Sequence, residues 1–274
     1  MISRKITSLR HRILDRLVLR PSRHEIDHGV QERVMLSWGT ANEPLECFAQ
    51  RHGDVSQPMD LLVVKFPGTA GRAERSSSFP TAYFPNSVSE VWTWNPPGYG
   101  RSAGRASLKR MELAALDFWR QMLGSSRLNS ETRIWICGNS LGCVPSLRVA
   151  CDVDPQGRMG MVLRNPPPLA HVIKEVATKY PLGRMINPVA DSLHDTMNAI
   201  VIAENVTWPA VFLQSELDEL VLPEMQNEVI EAYQGPKSVV VMKGLAHGSV
   251  ATEIHEPLIR QSLDWLWEKS DGRP

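Results

Sequence analysis

Ile134-Trp135-Ile136-Cys137-Gly138-Asn139-Ser140-Leu141-Gly142 is the stretch that decides the fold. A short apolar run enters Gly-x-Ser-x-Gly, and Val144, Leu147, Val149 and Ala150 follow as the buried face of a helix. Strand, tight turn and helix in that order are the grammar of a nucleophile elbow. The turn needs Ser140 in a strained backbone conformation. It also needs Gly138 and Gly142 to lack the Cβ atoms that would collide where strand and helix close together. Such a turn lifts the serine Oγ above the sheet and turns the Leu141 amide toward a bound carbonyl. Taken alone, the pentapeptide also fits a glycine-rich turn whose serine caps a helix.

Around the elbow the chain alternates. Leu61-Leu62-Val63-Val64-Lys65-Phe66 is a nearly continuous apolar run, the pattern of a strand covered on both faces. Similar runs are Val88 to Trp94, Arg133 to Cys137, Met159 to Leu163, Ala210 to Leu213 and Ser238 to Met242. Amphipathic helical patterns at 107–123, Leu220 to Tyr233 and Glu253 to Trp267 separate most of them. That alternation predicts an α/β fold with a mostly parallel sheet of about eight strands. Residues 31–38 and 44–51 alternate apolar and polar around a turn at Gly39 to Glu43, which predicts an antiparallel hairpin at one edge.

The interval 165–208 breaks the alternation. It contains Pro166-Pro167-Pro168, Pro181 and Pro188, with helical patterns at His171 to Lys179 and Asp191 to Ala203. A stretch of that length without a strand reads as a short cap. The expected organisation is therefore a lead-in over 1–30 and one domain over 31–274.

Composition narrows the function classes. The chain of 274 residues has 42% hydrophobic and 22% charged residues, ordinary values for a globular enzyme. Its 30 basic and 30 acidic residues balance, so no overall field draws nucleic acid. Cys47, Cys137, Cys143 and Cys151 form no Cys-x-x-Cys pair and read as buried free thiols of a cytoplasmic protein. No run reaches the ~20 apolar residues of a membrane span.

The first 23 residues lack the apolar core of a secretory signal but carry a helical stripe of Ile2, Ile6, Leu9, Ile13 and Leu17. Arg4, Lys5, Arg10, Arg12, Arg16, Arg20 and Arg23 stand against the single acid Asp15. A basic amphipathic helix of this kind either docks on its own domain or lies on an anionic membrane. Docking is the expectation, because Leu17-Val18-Leu19 runs straight on toward the first strand; peripheral membrane contact is the alternative.

A serine hydroxyl needs a positioned base, and the base an orienting acid. After Ser140, the strand at Val211 runs into Gln214-Ser215-Glu216-Leu217-Asp218-Glu219-Leu220-Val221, and the strand at Val239 into Lys243-Gly244-Leu245-Ala246-His247-Gly248. Asp218 and His247 are the candidates, with Glu216 and Glu219 as alternative acids. His255, inside the last helical pattern, reads as a surface residue. Arg101 and Ser102 read as loop-fixing residues, while Arg72 and Arg75 fit either an anionic substrate or solvent.

With these residues in view, the chain resembles an α/β-hydrolase fold serine hydrolase from about residue 31 to its end. Phe66-Pro67-Gly68-Thr69-Ala70-Gly71 resembles the His-Gly-Asn-Ala-Gly oxyanion loop, and Asn95-Pro96-Pro97-Gly98-Tyr99-Gly100-Arg101-Ser102 the Gly-Tyr-Gly-x-Ser loop. These two are similar to loops of small-cap esterases and protein depalmitoylases. Pro67 and Thr69 depart from the usual histidine and asparagine. The resemblance implies that Ser140, Asp218 and His247 are catalytic, and that the Thr69 and Leu141 amides hold the oxyanion. It implies an ester or thioester substrate, small-molecule or acyl-protein, and neither a cofactor nor a metal. Acyl transfer, haloperoxidase-like chemistry on the same residues and an idle binding fold are the alternatives.

Overall fold

The computed structural model describes residues 2–54, 56–125, 127–152, 157–181 and 183–271, and for residues 2–8 the backbone only. Eight strands form one sheet: β1 (Glu32–Trp38), β2 (Glu43–His52), β3 (Leu61–Phe66), β4 (Ser89–Trp94), β5 (Arg133–Asn139), β6 (Met159–Arg164), β7 (Ala210–Ser215) and β8 (Lys237–Met242). Their order across the sheet is β1-β2-β4-β3-β5-β6-β7-β8. The hairpin β1–β2 is antiparallel, as is β2 against β4, and every later pairing is parallel.

Side chains alternate across the sheet and build two cores, one on each face. Leu62, Val64, Phe66 and Ile136 join the larger core beneath α2 (Leu108–Leu123) and α3 (Cys143–Ala150). Leu61, Val63, Trp135 and Cys137 face the other way, toward α8 (Glu256–Lys269). Trp135 stands edge-on to Phe84 and Trp267, and these two stack with ring centroids 4.6 Å apart. β7 is buried on both faces, as its unbroken apolar pattern requires. At the sheet edge, β8 instead leaves Val239 and Val241 exposed, so only alternate residues of that apolar run are covered.

Between β6 and β7 lie α4 (Leu169–Thr178), α5 (Asn187–Ala190) and α6 (Ala199–Ala203). The single helix expected over Asp191 to Ala203 does not form. His194 Nδ1 accepts from the Thr196 amide and Asn198 Oδ1 from the Ile200 amide. Each side chain thus starts a new turn and competes with continuation of the helix. Likewise α7 begins at Pro223 rather than Leu220 and runs to Ala232. Among the described residues, Cys47, Cys137 and Cys143 are buried free thiols, whereas Cys151 is exposed. Burial pushes the Cys137 thiol up to about 12. No helix among the described residues is long and apolar enough to cross a membrane.

The N-terminal helix α1 (Ile2–Val18) lies on the domain, anchored through Leu14 and Asp15 beside the expected stripe, of which Ile13 is half-buried. Ile2 and Ile6 fall among the residues whose side chains are not described. Leu9 is 60% and Leu17 43% exposed, while Leu14 is 2% exposed and belongs to the larger core. Asp15, beside Leu14, explains the rotation: its carboxylate accepts the Leu108 amide at the start of α2, 2.8 Å away. Burial holds the Asp15 carboxyl above its usual range, outweighing the opposing pull of the Leu108 amide and Arg105. Turning Asp15 inward carries Leu14 and Leu19 with it. Leu14→Ala is therefore expected to lower the unfolding free energy by about 2–5 kcal/mol. Leu9→Ala is expected to stay within about 0.5 kcal/mol; urea melts of both variants check the assignment of faces.

Candidate active site

The serine sits where β5 turns into α3. Ser140 has a φ of +52°, a left-handed conformation costly for a side-chain-bearing residue and maintained only by surrounding packing. The packing is visible at both glycines. A Cβ on Gly142 would lie 2.0 Å from the Phe66 carbonyl oxygen, and one on Gly138 would lie 2.6 Å from the Cys143 Cα. No side chain fits either gap. The elbow is thereby pressed against the end of β3, where the Pro67-Gly68-Thr69 loop begins.

His247, in the loop after β8, brings its Nε2 to 3.0 Å from Ser140 Oγ, and its Nδ1 lies 2.7 Å from Asp218 Oδ2. A carboxylate next to Nδ1 calls for a proton on Nδ1, which leaves Nε2 free to accept from the serine hydroxyl. The structure thus joins the three residues singled out in the sequence into one hydrogen-bonded chain. The Asp218 side chain is fully buried and its remaining lone pairs are filled. Oδ1 accepts the Leu220 and Val221 amides at 3.0 and 2.8 Å, and Oδ2 also accepts from Gln226 Nε2 at 3.1 Å. Those two amide bonds close a turn and explain why α7 starts late.

Gln226 is a site residue the sequence reading missed. It is fully buried in the first turn of α7, and its amide also donates to the Val221 carbonyl at 2.7 Å. Its signal was present: a polar residue three and four positions before the buried Val229 and Ile230 faces the core. Asn165 was missed too. It follows β6 with a φ of +50°, accepts the Ser215 amide at 2.9 Å and donates to the His247 carbonyl at 3.4 Å. Its neighbour Arg164 donates to the Ser249 carbonyl, so the end of β6 holds the histidine loop from below.

The alternative acids are placed elsewhere. Glu216 accepts the Gly244 amide at 2.8 Å, and Glu219 accepts the His247 amide at 3.5 Å; both brace the loop main chain. His255 corrects the expectation of a surface residue. It is 4% exposed at the start of α8, with Nδ1 accepting the Thr252 amide and Nε2 2.9 Å from the Lys243 carbonyl. Arg72 meets neither substrate nor solvent. It is buried, paired with Glu74, and donates to the Ser22 and His24 carbonyls at 2.9 and 3.0 Å, whereas Arg75 is exposed. Burial alone would push the Glu74 carboxyl up, but hydrogen bonds from Arg72 and Asn95 outweigh it and hold it below the usual range. Arg101 pairs with Glu25, and Ser102 donates to the Asn95 carbonyl at 2.6 Å.

Opposite the histidine, Gly68 packs onto Ser140, and a Cβ there would approach the Ser140 Cβ to 3.4 Å. Thr69 follows, with no partner for its amide among the described residues, and its hydroxyl donates to the Val18 carbonyl at the end of α1. The Thr69 carbonyl accepts from the Tyr99 hydroxyl at 2.8 Å, and that hydroxyl accepts the Arg20 amide at 3.1 Å. Leu141, in the first turn after Ser140, has an amide with no acceptor one turn before it in the helix. Among the described residues, no group of three or more His, Cys, Asp or Glu side chains is placed to hold a metal ion.

No protein-family model matches the sequence, and no curated protein does. Similarity appears at the level of solved structures. The chain is similar to the Pyrococcus furiosus esterase Pf2001 (TM-score 0.67, 14% identity), covering 92% of this chain and 97% of that one. It is similar to acetyl xylan esterase 1 from Thermoanaerobacterium sp. JW/SL YS485 (TM-score 0.64, 13% identity), covering 95% of this chain and 93% of that one. A Porphyromonas gingivalis dipeptidyl peptidase 4 gives a TM-score of 0.66 at 15% identity, covering 87% of this chain but 35% of that one. With the strand order and parallel crossovers above, the chain has the α/β-hydrolase fold. That fold carries more than one chemistry, so the reaction is argued from the site.

Gln226→Leu removes one donor from Asp218 and leaves the Val221 carbonyl unpartnered in a buried site. The expected cost is about 1–3 kcal/mol of unfolding free energy. A calorimetric melt coincident with that of the parent protein would show that the amide contributes nothing to holding the acid.

Proposed function

We propose that the protein is a serine hydrolase that cleaves carboxylic esters or thioesters through an acyl-enzyme on Ser140. The observation that carries this reading is the hydrogen-bonded chain Ser140–His247–Asp218, built on a serine held at positive φ. Ser140 Oγ attacks the acyl carbon as its proton passes to His247 Nε2. Asp218 remains ionised, keeps the imidazole in the required tautomer and stabilises the imidazolium. Charge develops on the carbonyl oxygen beside the Thr69 and Leu141 amides, where a preorganised donor contributes roughly 3–4 kcal/mol to the transition state. As the tetrahedral intermediate collapses, the carbon–oxygen or carbon–sulfur bond breaks and His247 returns the proton to the departing alcohol or thiol. Water, activated by the same imidazole, then attacks the acyl-enzyme and releases the acid and free Ser140.

Esterases among the similar structures support ester cleavage, and the Phe66–Gly71 and Asn95–Ser102 loops support the finer reading of a small-cap esterase or depalmitoylase-like enzyme. Thr69 in place of the usual asparagine does not weaken the mechanism, since the donor is the main-chain amide. Its side chain serves the loop instead, through Val18.

A fluorophosphonate probe is expected to label the folded protein at Ser140 only, and Ser140→Ala to abolish labelling. Ser140→Ala and His247→Ala are each expected to lower kcat on a nitrophenyl ester by roughly 10⁶-fold, because nucleophile and base act as a unit. Asp218→Asn is expected to cost roughly 10⁴-fold. Turnover retained by Ser140→Ala, or a larger loss from Glu219→Gln than from Asp218→Asn, overturns the assignment.

A further inference from the structure

Ser140 opens into a cavity of about 760 Å³, within the size range of small-molecule sites. Among the described residues that line it, only Arg20, Thr69, Ser140 and Tyr180 have a nitrogen or oxygen atom in the side chain. One wall comes from α4 and its neighbours, with Leu169, Val172, Ile173 and Val176 facing inward. The opposite wall belongs to the N-terminal helix, through Ile13, Leu17 and Val18. These two elements are about 150 residues apart in sequence and face each other across this space, and α1 also touches α5.

The wall is fixed to the reaction centre. Leu14 and Asp15 anchor one side of α1 in the core and on α2, leaving Ile13 and Leu17 to face the cavity. Its end is tied to the oxyanion loop by the Thr69 hydroxyl on the Val18 carbonyl, and by Tyr99 bridging the Arg20 amide to the Thr69 carbonyl. An apolar chamber this large is poorly matched to an acetyl group, which would leave most of its surface in contact with water. A hydrocarbon chain displaces that water and is stabilised by about 0.8 kcal/mol per buried methylene.

We propose that the cavity between α1 and α4 is a binding site for the hydrocarbon chain of the ester, and that α1, through Ile13 and Leu17, is the wall that selects it. This rests on Ser140 being the nucleophile. The chain is carried by either the acid or the alcohol half of the ester, and both place the same apolar chemistry in the chamber. Leu17, Tyr180 and Met185 are exposed at its rim, giving the chain an apolar threshold.

The test compares two ester series on the full chain: nitrophenyl esters from acetyl to dodecanoyl, and acetate esters of straight-chain alcohols of the same lengths. In one series kcat/KM is expected to rise about fourfold per added methylene over the first members, the factor equivalent to 0.8 kcal/mol. The series that rises identifies the half of the ester that enters. Ile13→Trp and Leu17→Trp, which fill the chamber from α1, are expected to lower the dodecyl-to-acetyl ratio of kcat/KM at least tenfold. Val172→Trp fills it from the facing wall and serves where a helix variant fails to fold. Calorimetry with dodecanoate and butanoate reads the chamber without turnover, with dodecanoate the tighter ligand and its advantage lost in Ile13→Trp.

Highest activity on the acetyl ester in both series, with Ser140 still labelled, overturns the chamber and leaves the hydrolase reading standing. A rise with chain length that Val172→Trp abolishes and both α1 variants preserve overturns the role of α1. Failure to label Ser140 overturns the hydrolase reading, while dodecanoate binding then decides the chamber separately.

Discussion

The Cα of Gly142 packs so closely on the Phe66 main chain that even a methyl group there would overlap the Phe66 carbonyl. That approach joins two pieces of chain that must not drift. One is the turn that carries Ser140, the other the loop that carries Thr69. Because both leave the carboxyl ends of neighbouring parallel strands, β5 and β3, strand pairing sets how Ser140 and the Thr69 loop sit beside each other. Interiors packed at crystal-like density resist small displacements, and proximity effects in catalysis are sensitive to them. Strain at Ser140 is sustained by this contact. Relieving the close approach at Gly142 would separate the site's two halves before it harmed the rest of the fold.

A second set of contacts keeps the Thr69 side of the site in place. Glu46 Oε2 receives Asn95 Nδ2 at 2.8 Å and the Arg101 amide at 2.7 Å, while Arg33 pairs with Oε1 at 3.0 Å. Asn95 Oδ1 accepts the Ala73 amide at 2.9 Å, and Arg72 with Glu74 continues the network to Ser22 and His24. Buried charges contribute little net stability unless their partners are complete. Nearly every polar atom of this group is paired, so the network's chief effect is orientation. It ties the chain leaving α1, the turn after the Pro67-Gly68-Thr69 loop and the Asn95–Ser102 loop into one piece. Tyr99 therefore meets Thr69 from a fixed position.

How much of this was legible in the sequence follows from the range of each signal. The strands were readable because two-sided burial writes an apolar run directly into the chain, and Ser140, Asp218 and His247 were readable because each follows such a run. The helix over Asp191 to Ala203 was misread because periodicity does not register His194 and Asn198 as local caps. The docked face of α1 was misread for a related reason. A stripe of five apolar residues outweighs Leu14 in any count, yet the Asp15–Leu108 bond, between residues 93 apart, decides which way the helix turns. Gln226 was legible from its place on the buried face of α7, whereas Asn165 and His255 hold the histidine loop through main-chain carbonyls of other elements. A hydrogen bond to a distant carbonyl leaves no trace in the spacing of residues, so such roles emerge only with the fold.

The division of labour within the molecule has the same origin. The Ser140–His247–Asp218 chain hangs from the carboxyl ends of β5, β7 and β8, where strand register brings its members together. Groups that shape the space beyond it come from α1 and the excursion between β6 and β7, which meet the sheet mostly through apolar side chains. Apolar packing tolerates exchange of one side chain for another of similar volume, whereas the Ser140–His247–Asp218 geometry tolerates almost none. The same asymmetry explains how 14% identity is compatible with 92% coverage of this chain in the comparison with the Pyrococcus esterase. Sheet geometry is retained while the sequence that clothes it is free to change. Among the described residues, the N-terminal helix is fixed to the domain through Leu14, Asp15 and Val18, with Leu19 following in the core. Among its described residues, Ile13, Leu17 and Val18 border the cavity that Ser140 opens into.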